Sequence, residues 1–367
     1  MRIAILTNVY PNKYGKSDGV FVYEQVKTLE SMGNQVDVLY IDLRSIRKKR
    51  KWGLNCYSHD KMQIYHYSFP CGPIPFIYEL LYLLITRKVV FSYLEKKKNV
   101  KVIHGHFYIN GFWAKDIKKE HEVKYILTEH SSEFYEAKIS KLHTEIMKRA
   151  YKNVDEIISV SEVLKRKMNK YTKREIKVIP NVLPEIFSYS KPKQKNEFVF
   201  LSVGHVIESK GMNVLIKSFE KIQKMCSDVS LRIVGDGELK KDLEHYCNEK
   251  KLNVFFYGEV EHSEIPNICK ECQCFVLPSE KETFGIAYIE ALACGLPVIA
   301  TKCGGPEEFV SAENGILIPI NEEEALVCAM KKMYESYLLY DSKKISDSIL
   351  EQYGSRKIGE RLMSIYL

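Results

Sequence analysis

The sequence has no uninterrupted apolar run of the roughly eighteen or more residues that a membrane-crossing helix needs. The nearest approach, Ile74 to Ile85, carries Glu79 and is followed by Arg87-Lys88. A secretory leader is missing too. Met1-Arg2 runs straight into Ile3-Ala4-Ile5-Leu6, which reads as a first buried strand with no small-residue cleavage site behind it. Both absences predict a cytosolic chain. The ten cysteines fit a reducing compartment. Cys269, Cys272 and Cys274 form a C-x2-C-x-C cluster, but no second Cys/His pair stands at ligand spacing. Cys274 also opens an apolar run, so structural cysteines rather than a metal site are expected.

Nucleotide motifs of the common kinds are absent as well. There is no P-loop, and no Asp-x-Asp to clamp a metal–diphosphate. Gly235-Asp236-Gly237 lacks the third glycine of a dinucleotide fingerprint and reads as a tight strand-to-helix turn.

What is present begins with size and charge. The 367 residues, 45% of them hydrophobic, can bury large cores and favour two domains over one. The net charge of +8 is unevenly spread. Residues 1–190 hold 33 Lys/Arg against 20 Asp/Glu, a net of +13, which leaves −5 for the remainder. Arg44, Arg47, Lys48, Lys49, Arg50 and Lys51 form a dense basic run ahead of Trp52. Such a run is most often a solvated face. Beside the amphipathic stretch Ile74–Leu94 it also suits an anionic membrane surface or phosphate-bearing substrates. No nucleic-acid recognition motif accompanies it, so no nucleic-acid partner is expected.

Strand-like apolar runs at 2–8, 35–41, 100–105, 124–128, 155–160 and 176–180 alternate with amphipathic helical stretches such as Val20–Met32. Residues 184–197, rich in proline, serine and charge, read as a linker. Strand-like runs resume at 198–203, 229–234, 254–257, 274–278, 297–300 and 315–319. Strand–helix alternation implies parallel sheets covered on both faces. The expectation is two doubly wound Rossmann-like α/β domains, 1–185 and 186–345, facing each other across a cleft, with ligands at the carboxyl ends of their strands. A last helix, from about 346 to 367, is expected to pack back on the first domain.

Three patches of the second half sit where strands end. Val203-Gly204-His205-Val206-Ile207-Glu208-Ser209-Lys210-Gly211 sets a lysine beside a helix start, a suitable place for phosphate. Ser279 to Glu290 holds two carboxylates, Glu282 and Glu290, around Phe284-Gly285. Ser279 and Glu282 fit a capping box, and the helix reads as beginning near Gly285, with Glu282 just before it and free N–H donors at its mouth. Cys303-Gly304-Gly305-Pro306-Glu307 is a further glycine turn, with Pro306 suited to a first helical position.

In order along the chain, these patches resemble the retaining nucleotide-sugar glycosyltransferases of the GT-B fold, the large group called family 4. The resemblance is strongest over 200–320. Its marks are Lys210-Gly211, Gly235-Asp236-Gly237, Tyr257-Gly258, Pro278-Ser279, the E-x7-E spacing of Glu282 and Glu290, Ala291 to Ala300, Gly304-Gly305-x-Glu307 and Asn314-Gly315. The first half matches more loosely, through Gly19 and the helix after it, His104-Gly105-His106 and Thr128-Glu129-His130.

The resemblance implies roles. Glu290 would bind ribose hydroxyls, and Glu282 would face the donor sugar with the amides near Phe284, Gly285 and Ile286. Lys210, with His205 where the family commonly has arginine, would neutralise the diphosphate. Backbone around Gly258 to Val260 would meet the base, and Gly19 would let its loop approach the diphosphate. His106 matches the motif histidine that faces the reaction centre and acceptor, and His130 lies at the next strand's rim. Asp18 and Val182 stand where glycine is usual.

The implied reaction is transfer of a hexose or N-acetylhexosamine from a nucleotide-diphosphate sugar to an acceptor hydroxyl, with retention. The leaving phosphate would help take the acceptor proton, so neither a metal nor another cofactor is expected. A UDP-sugar is favoured over a GDP-sugar as donor. The basic first half points to a lipid-linked or anionic acceptor at the inner face of the membrane, as in cell-surface polysaccharide or glycolipid assembly. Domain closure over the donor is expected. A nucleotide-sugar epimerase of the same fold and a non-catalytic sugar-nucleotide binder are the alternatives.

Overall fold

A computed structural model of the chain describes residues 1–12, 18–45, 51–59, 62–72, 74–189, 191 and 197–367. Arg47 to Arg50 of the basic run, and residues 190 and 192–196 of the expected linker, lie outside the described residues. The chain divides into two compact units, 1–182 with 355–367 and 183–354.

The first unit runs β1 (Arg2–Thr7), α1 (Val20–Ser31), β2 (Gln35–Arg44), β3 (Gly53–His59), β4 (Met62–Pro70), α2 (Pro75–Lys96), β5 (Val100–His106), α3 (Ala114–Glu120), β6 (Lys124–Glu129), α4 (Lys141–Asn153), β7 (Glu156–Ser159), α5 (Glu162–Met168) and β8 (Lys177–Val178). Its sheet has the order β3-β4-β2-β1-β5-β6-β7-β8. Every pairing is parallel except the β3–β4 hairpin. Ile3, Ala4, Ile5 and Leu6 of β1 are all fully buried. A central strand covered on both faces needs such a continuous apolar run.

The described sheet has eight strands here rather than the six expected, and the two additions are β3 and β4. Along β4 the inward positions are Met62, Ile64, His66 and Ser68, so the strand alternates with period two but half of its inner face is polar. A search for apolar runs passes over such a strand.

The second unit runs β9 (Phe198–Val203), α6 (Met212–Met225), β10 (Val229–Val234), α7 (Lys240–Glu249), β11 (Val254–Gly258), α8 (Ile265–Cys269), β12 (Cys274–Leu277), α9 (Ile286–Ala293), β13 (Val298–Thr301), β14 (Gly315–Ile318), α10 (Glu323–Ser336) and α11 (Ser342–Tyr353). The sheet order is β11-β10-β9-β12-β13-β14, all parallel. Phe187, within the expected linker, is fully buried in this unit.

The chain then returns to the first unit as α12 (Ser355–Tyr366). That return starts later than the expected Ser346. Ser346 is buried on α11, where its hydroxyl donates to the Ala293 carbonyl of α9. Helix α11 ends at Gly354, whose backbone is extended. Ile358, Leu362, Ile365 and Tyr366 recur at helical spacing and join the core that holds Val22, Val26 and Leu29 of α1.

Each sheet reverses its winding once, between β1 and β5 in the first unit and between β9 and β12 in the second. At such a switch point the loops leaving neighbouring strands diverge and open a crevice at the strands' carboxyl ends. Among the described residues no helix is long and apolar enough to cross a membrane.

Candidate active site

In the second unit the crevice is built by loops that lean on one another. Gly211 follows the β9 loop with φ 70°, and a Cβ there would stand 2.0 Å from the Pro278 carbonyl oxygen, just past β12. Only glycine permits that approach. The Glu280 amide donates to the Ser209 carbonyl at 2.9 Å and ties the same two loops again. Lys210 is thereby delivered to Glu282, with Nζ 2.6 Å from Oε1. The Ser279 hydroxyl donates to that same oxygen at 2.8 Å. The third glycine turn joins through the Gly305 amide, which donates to the Glu282 carbonyl at 3.0 Å.

The helix expected to begin near Gly285 starts at Ile286, with Gly285 as its N-cap at φ 95°. Ser279 therefore bonds the Glu282 side chain and does not cap the helix. Tyr288 donates back to the Gly285 carbonyl. The N–H groups of Phe284, Gly285, Ile286 and Ala287 donate to no described residue, so the helix mouth presents donors beside Glu282. The Phe284 ring is buried near Phe309 and Tyr353, which leaves only its backbone to the crevice.

Glu290 lies five residues beyond Gly285, about 7 Å along the helix axis. It is 5% exposed, and its Oε1 accepts from His262 Nε2 at 2.7 Å. The His262 ring centroid is 5.1 Å from that of Phe187. Sequence reasoning missed His262. It stands 28 residues from its partner, in a short 3-10 turn, and no local spacing reveals the pair.

Lys210, Glu282, Gly285 and Ile286 thus come together, with Glu290 further along the same helix. His205 is exposed at the start of the β9 loop, and Val260 is half-buried after β11. Neither bonds to that group through its side chain among the described residues. A cavity of about 440 Å³ in this unit, lined by Phe309, Asn314, Leu339, Lys344 and Ile349 among others, includes none of these residues.

In the first unit Gly19 caps α1 at φ 70°, and a Cβ there would lie 2.7 Å from the Val9 carbonyl. Asp18 accepts from Arg44 at 2.9 Å, and Arg44 also pairs with Asp42 at 2.7 Å, so the departure from glycine at 18 ties this loop to the end of β2. Val182, the other departure, is buried in the core.

His104 and His106 both point to one side of β5, and their rings stack at 4.8 Å. His130, just past β6, stacks on His106 at 5.1 Å and lies 4.4 Å from the Phe21 ring. His104 Nδ1 takes the Gln25 amide at 3.1 Å and meets the Tyr366 hydroxyl at 2.5 Å. An amide NH2 only donates, so Nδ1 accepts and Nε2 donates to Thr128 Oγ1 at 2.6 Å. His106 Nδ1 and His130 Nε2 share a hydrogen bond of 2.9 Å. His106 Nε2 is buried without a partner among the described residues.

Burial pushes all three imidazoles down, His106 to about 3. They are neutral near pH 7, able to give or take a hydrogen bond but not to supply a cation. The turns that carry His106 and His130 are held by Glu129. It accepts from the amides of Tyr108, His130 and Ser131 and from the Tyr151 hydroxyl. Burial pushes its carboxyl up to about 7 against the opposing pull of those four donors.

Two parallel-sheet α/β units, each with loops gathered at its switch point, define a GT-B fold, and the relatives agree. Residues 185–347 match the family described as Glycosyl transferases group 1, and residues 19–184 match Glycosyltransferase Family 4. Matched along most of its length by these two, the chain is a glycosyltransferase of the GT-B type. An uncharacterized glycosyltransferase of Methanocaldococcus jannaschii is 29% identical over 249 residues, 67% of this chain and 68% of that protein. The phosphatidylinositol N-acetylglucosaminyltransferase gpi3 subunit of Schizosaccharomyces pombe is 27% identical over 76% of this chain and 63% of its own length. Among solved structures, HepE of Anabaena in complex with UDP and glucose superposes with a TM-score of 0.76 at 18% identity, covering 100% of this chain and 99% of that one.

Proposed function

We propose that the protein transfers a hexose or N-acetylhexosamine from a UDP-sugar to an acceptor hydroxyl, with retention of anomeric configuration. The acceptor is a sugar or lipid-linked sugar of cell-surface polysaccharide or glycolipid assembly, used by a protein peripheral to the inner face of the membrane. The observation that carries this reading is the Lys210–Glu282 pair of 2.6 Å beside the unoccupied donors of the α9 mouth, with Glu290 on the same helix. Those groups suit the two ends of one ligand. Glu290 takes the ribose hydroxyls, and Glu282 with the Phe284 to Ile286 amides takes the sugar. Lys210 exchanges its carboxylate partner for the diphosphate as the leaving group gains charge.

On the first unit, the neutral His106 and His130 orient the acceptor by hydrogen bonding. The departing phosphate oxygen helps take the acceptor proton, so no metal enters the reaction. A ligand like that of HepE supports the choice of UDP, and the lipid named in the gpi3 relative supports a lipid-borne acceptor. The test is a melting-temperature panel of UDP-, GDP- and ADP-sugars followed by product analysis. A selective rise with UDP-sugars and an α-linked product from an α-linked donor are expected. No rise with any of them, or sugar isomerisation without an acceptor, overturns the reading.

A further inference from the structure

The first half of helix α2, as far as Leu84, turns much of its apolar surface outward. Phe76 is 61% exposed, and Ile74, Ile77, Leu80, Leu81 and Leu84 are all exposed with it. Glu79, Tyr82 and Tyr93 turn their polar groups to the protein. Glu79 bonds His143 at 3.0 Å, the Tyr82 hydroxyl donates to Asn110 Oδ1 at 2.8 Å, and the Tyr93 hydroxyl donates to Asp37. The Trp113 indole donates to the Leu83 carbonyl at 2.7 Å and holds the same side. A helix on a water-facing surface has the opposite arrangement.

The exposed side continues into two cations, Arg87 and Lys88. Between Ile74 and Ser92 the single carboxylate is Glu79, which is buried. An apolar face of this size followed by cations, too short to span a bilayer, is the pattern of a helix lying in the plane of a membrane interface. Charge chooses among occupants. Residues 1–190 carry a net of +13, so a second copy of this face would meet repulsion, while a surface of anionic lipid phosphates would meet attraction.

The helix is also tied to the strand end proposed for the acceptor. Asn110, which accepts from Tyr82 of α2, donates through Nδ2 to the His106 carbonyl at 2.6 Å. We propose that α2 is an in-plane docking helix for an anionic lipid bilayer. Phe76, Ile77, Leu80 and Leu84 enter the acyl boundary, while Arg87 and Lys88 meet lipid phosphates. Docking there brings the His106 strand end to the bilayer surface, where a lipid-borne acceptor lies. This last step rests on the transferase reading above, whereas the docking itself does not.

The experiment is co-sedimentation of the full chain with phosphatidylcholine vesicles, with and without phosphatidylglycerol. Wild type is expected to sediment with the anionic vesicles. Leu80→Glu with Leu84→Glu should weaken that binding at least about tenfold. Arg87→Gln with Lys88→Gln should weaken it about fivefold for each charge removed. All these side chains are exposed, so the variants should keep the wild-type melting temperature and donor-induced melting shift. Wild type that ignores anionic vesicles, or variants that bind them as wild type does, overturns the docking. So does a concentration-dependent dimer that the leucine pair dissolves, because the occupant is then a second copy. Lost docking with an intact donor shift leaves the transferase reading standing, and intact docking without any donor shift removes that reading alone.

Discussion

His262 Nε2 donates to Glu290 Oε1 at 2.7 Å, across 28 residues of sequence. One carboxylate oxygen is thereby fixed, and the rotamer of a nearly buried side chain is set before any nucleotide arrives. In the proposed role Glu290 offers its remaining acceptor capacity to ribose hydroxyls.

Replacing Glu290 with glutamine removes a charged acceptor, and hydrogen bonds to charged groups are worth about 1.5–3 kcal/mol. UDP affinity measured by calorimetry should fall about tenfold to a hundredfold. His262→Gln should cost less, because it loosens Glu290 without deleting it. Unchanged affinity in both variants removes Glu290 from the nucleotide site.

Lys210 acts at a different point. Its cation is proposed to stabilise charge that grows on the diphosphate in the transition state, a task comparable to an oxyanion-stabilising donor worth about 2.7–4 kcal/mol. Lys210→Ala should therefore lower turnover by about a hundredfold to a thousandfold while donor affinity changes far less. Steady-state kinetics alongside donor titration separates the two. A loss confined to affinity assigns Lys210 to ground-state binding only.

Gly211 makes a steric prediction with an internal control. Gly33 and Gly211 both have positive φ, but a Cβ at 33 meets nothing within 4 Å while one at 211 overlaps the Pro278 carbonyl. Gly33→Ala should cost about 1–2 kcal/mol from backbone strain alone. Gly211→Ala should cost more and should also lower turnover, because it pushes Lys210 away from Glu282. Equal losses in denaturant melts of the two variants contradict this account of the loop.

Much of this organisation is legible in the sequence because the buried central strands are continuous apolar runs. Ile3 to Leu6 and Phe275 to Leu277 need no partner to be recognised. The β3–β4 hairpin escapes because His66 and Ser68 occupy inward positions. Lys210, Glu282 and Glu290 are visible through ordered glycine turns, which mark where strands end. The start of α9 near Gly285 is legible through that glycine, while Ser279-x-x-Glu282 fits a capping pattern that the fold uses for a side-chain bond instead. His262, Asn110 and the Tyr366–His104 contact come from distant segments, and only folding brings them together.

The buried histidines fix the response to acid. His104, His106 and His130 have imidazoles pushed below their ordinary value near 6.5, first of all by burial. The unfolded chain therefore binds protons that the folded chain refuses. Stability conferred by the neutral rings is complete above about pH 6.5 and declines as the pH falls below it, by up to about 1.4 kcal/mol per pH unit for each ring. Two groups of the same unit are raised instead. Glu129 is pushed up by burial to about 7 and gains stability on acidification through this range, whereas the gain of His143, whose desolvation is outweighed by Glu133 and Glu79, is already complete below about pH 6.5. Below about pH 6.5 three rings against Glu129 alone leave a net loss. Both tryptophans, Trp52 and Trp113, belong to the first unit, so their fluorescence reports its unfolding alone. Denaturant melts followed this way should show falling stability from about pH 6.5 to pH 5. His143→Gln should leave that slope nearly unchanged, because the stability His143 confers is complete below about pH 6.5 and is lost only as the pH rises above it. A flat profile in wild type means that these rings do not titrate as buried neutral imidazoles, and the proposed neutral role of His106 goes with it.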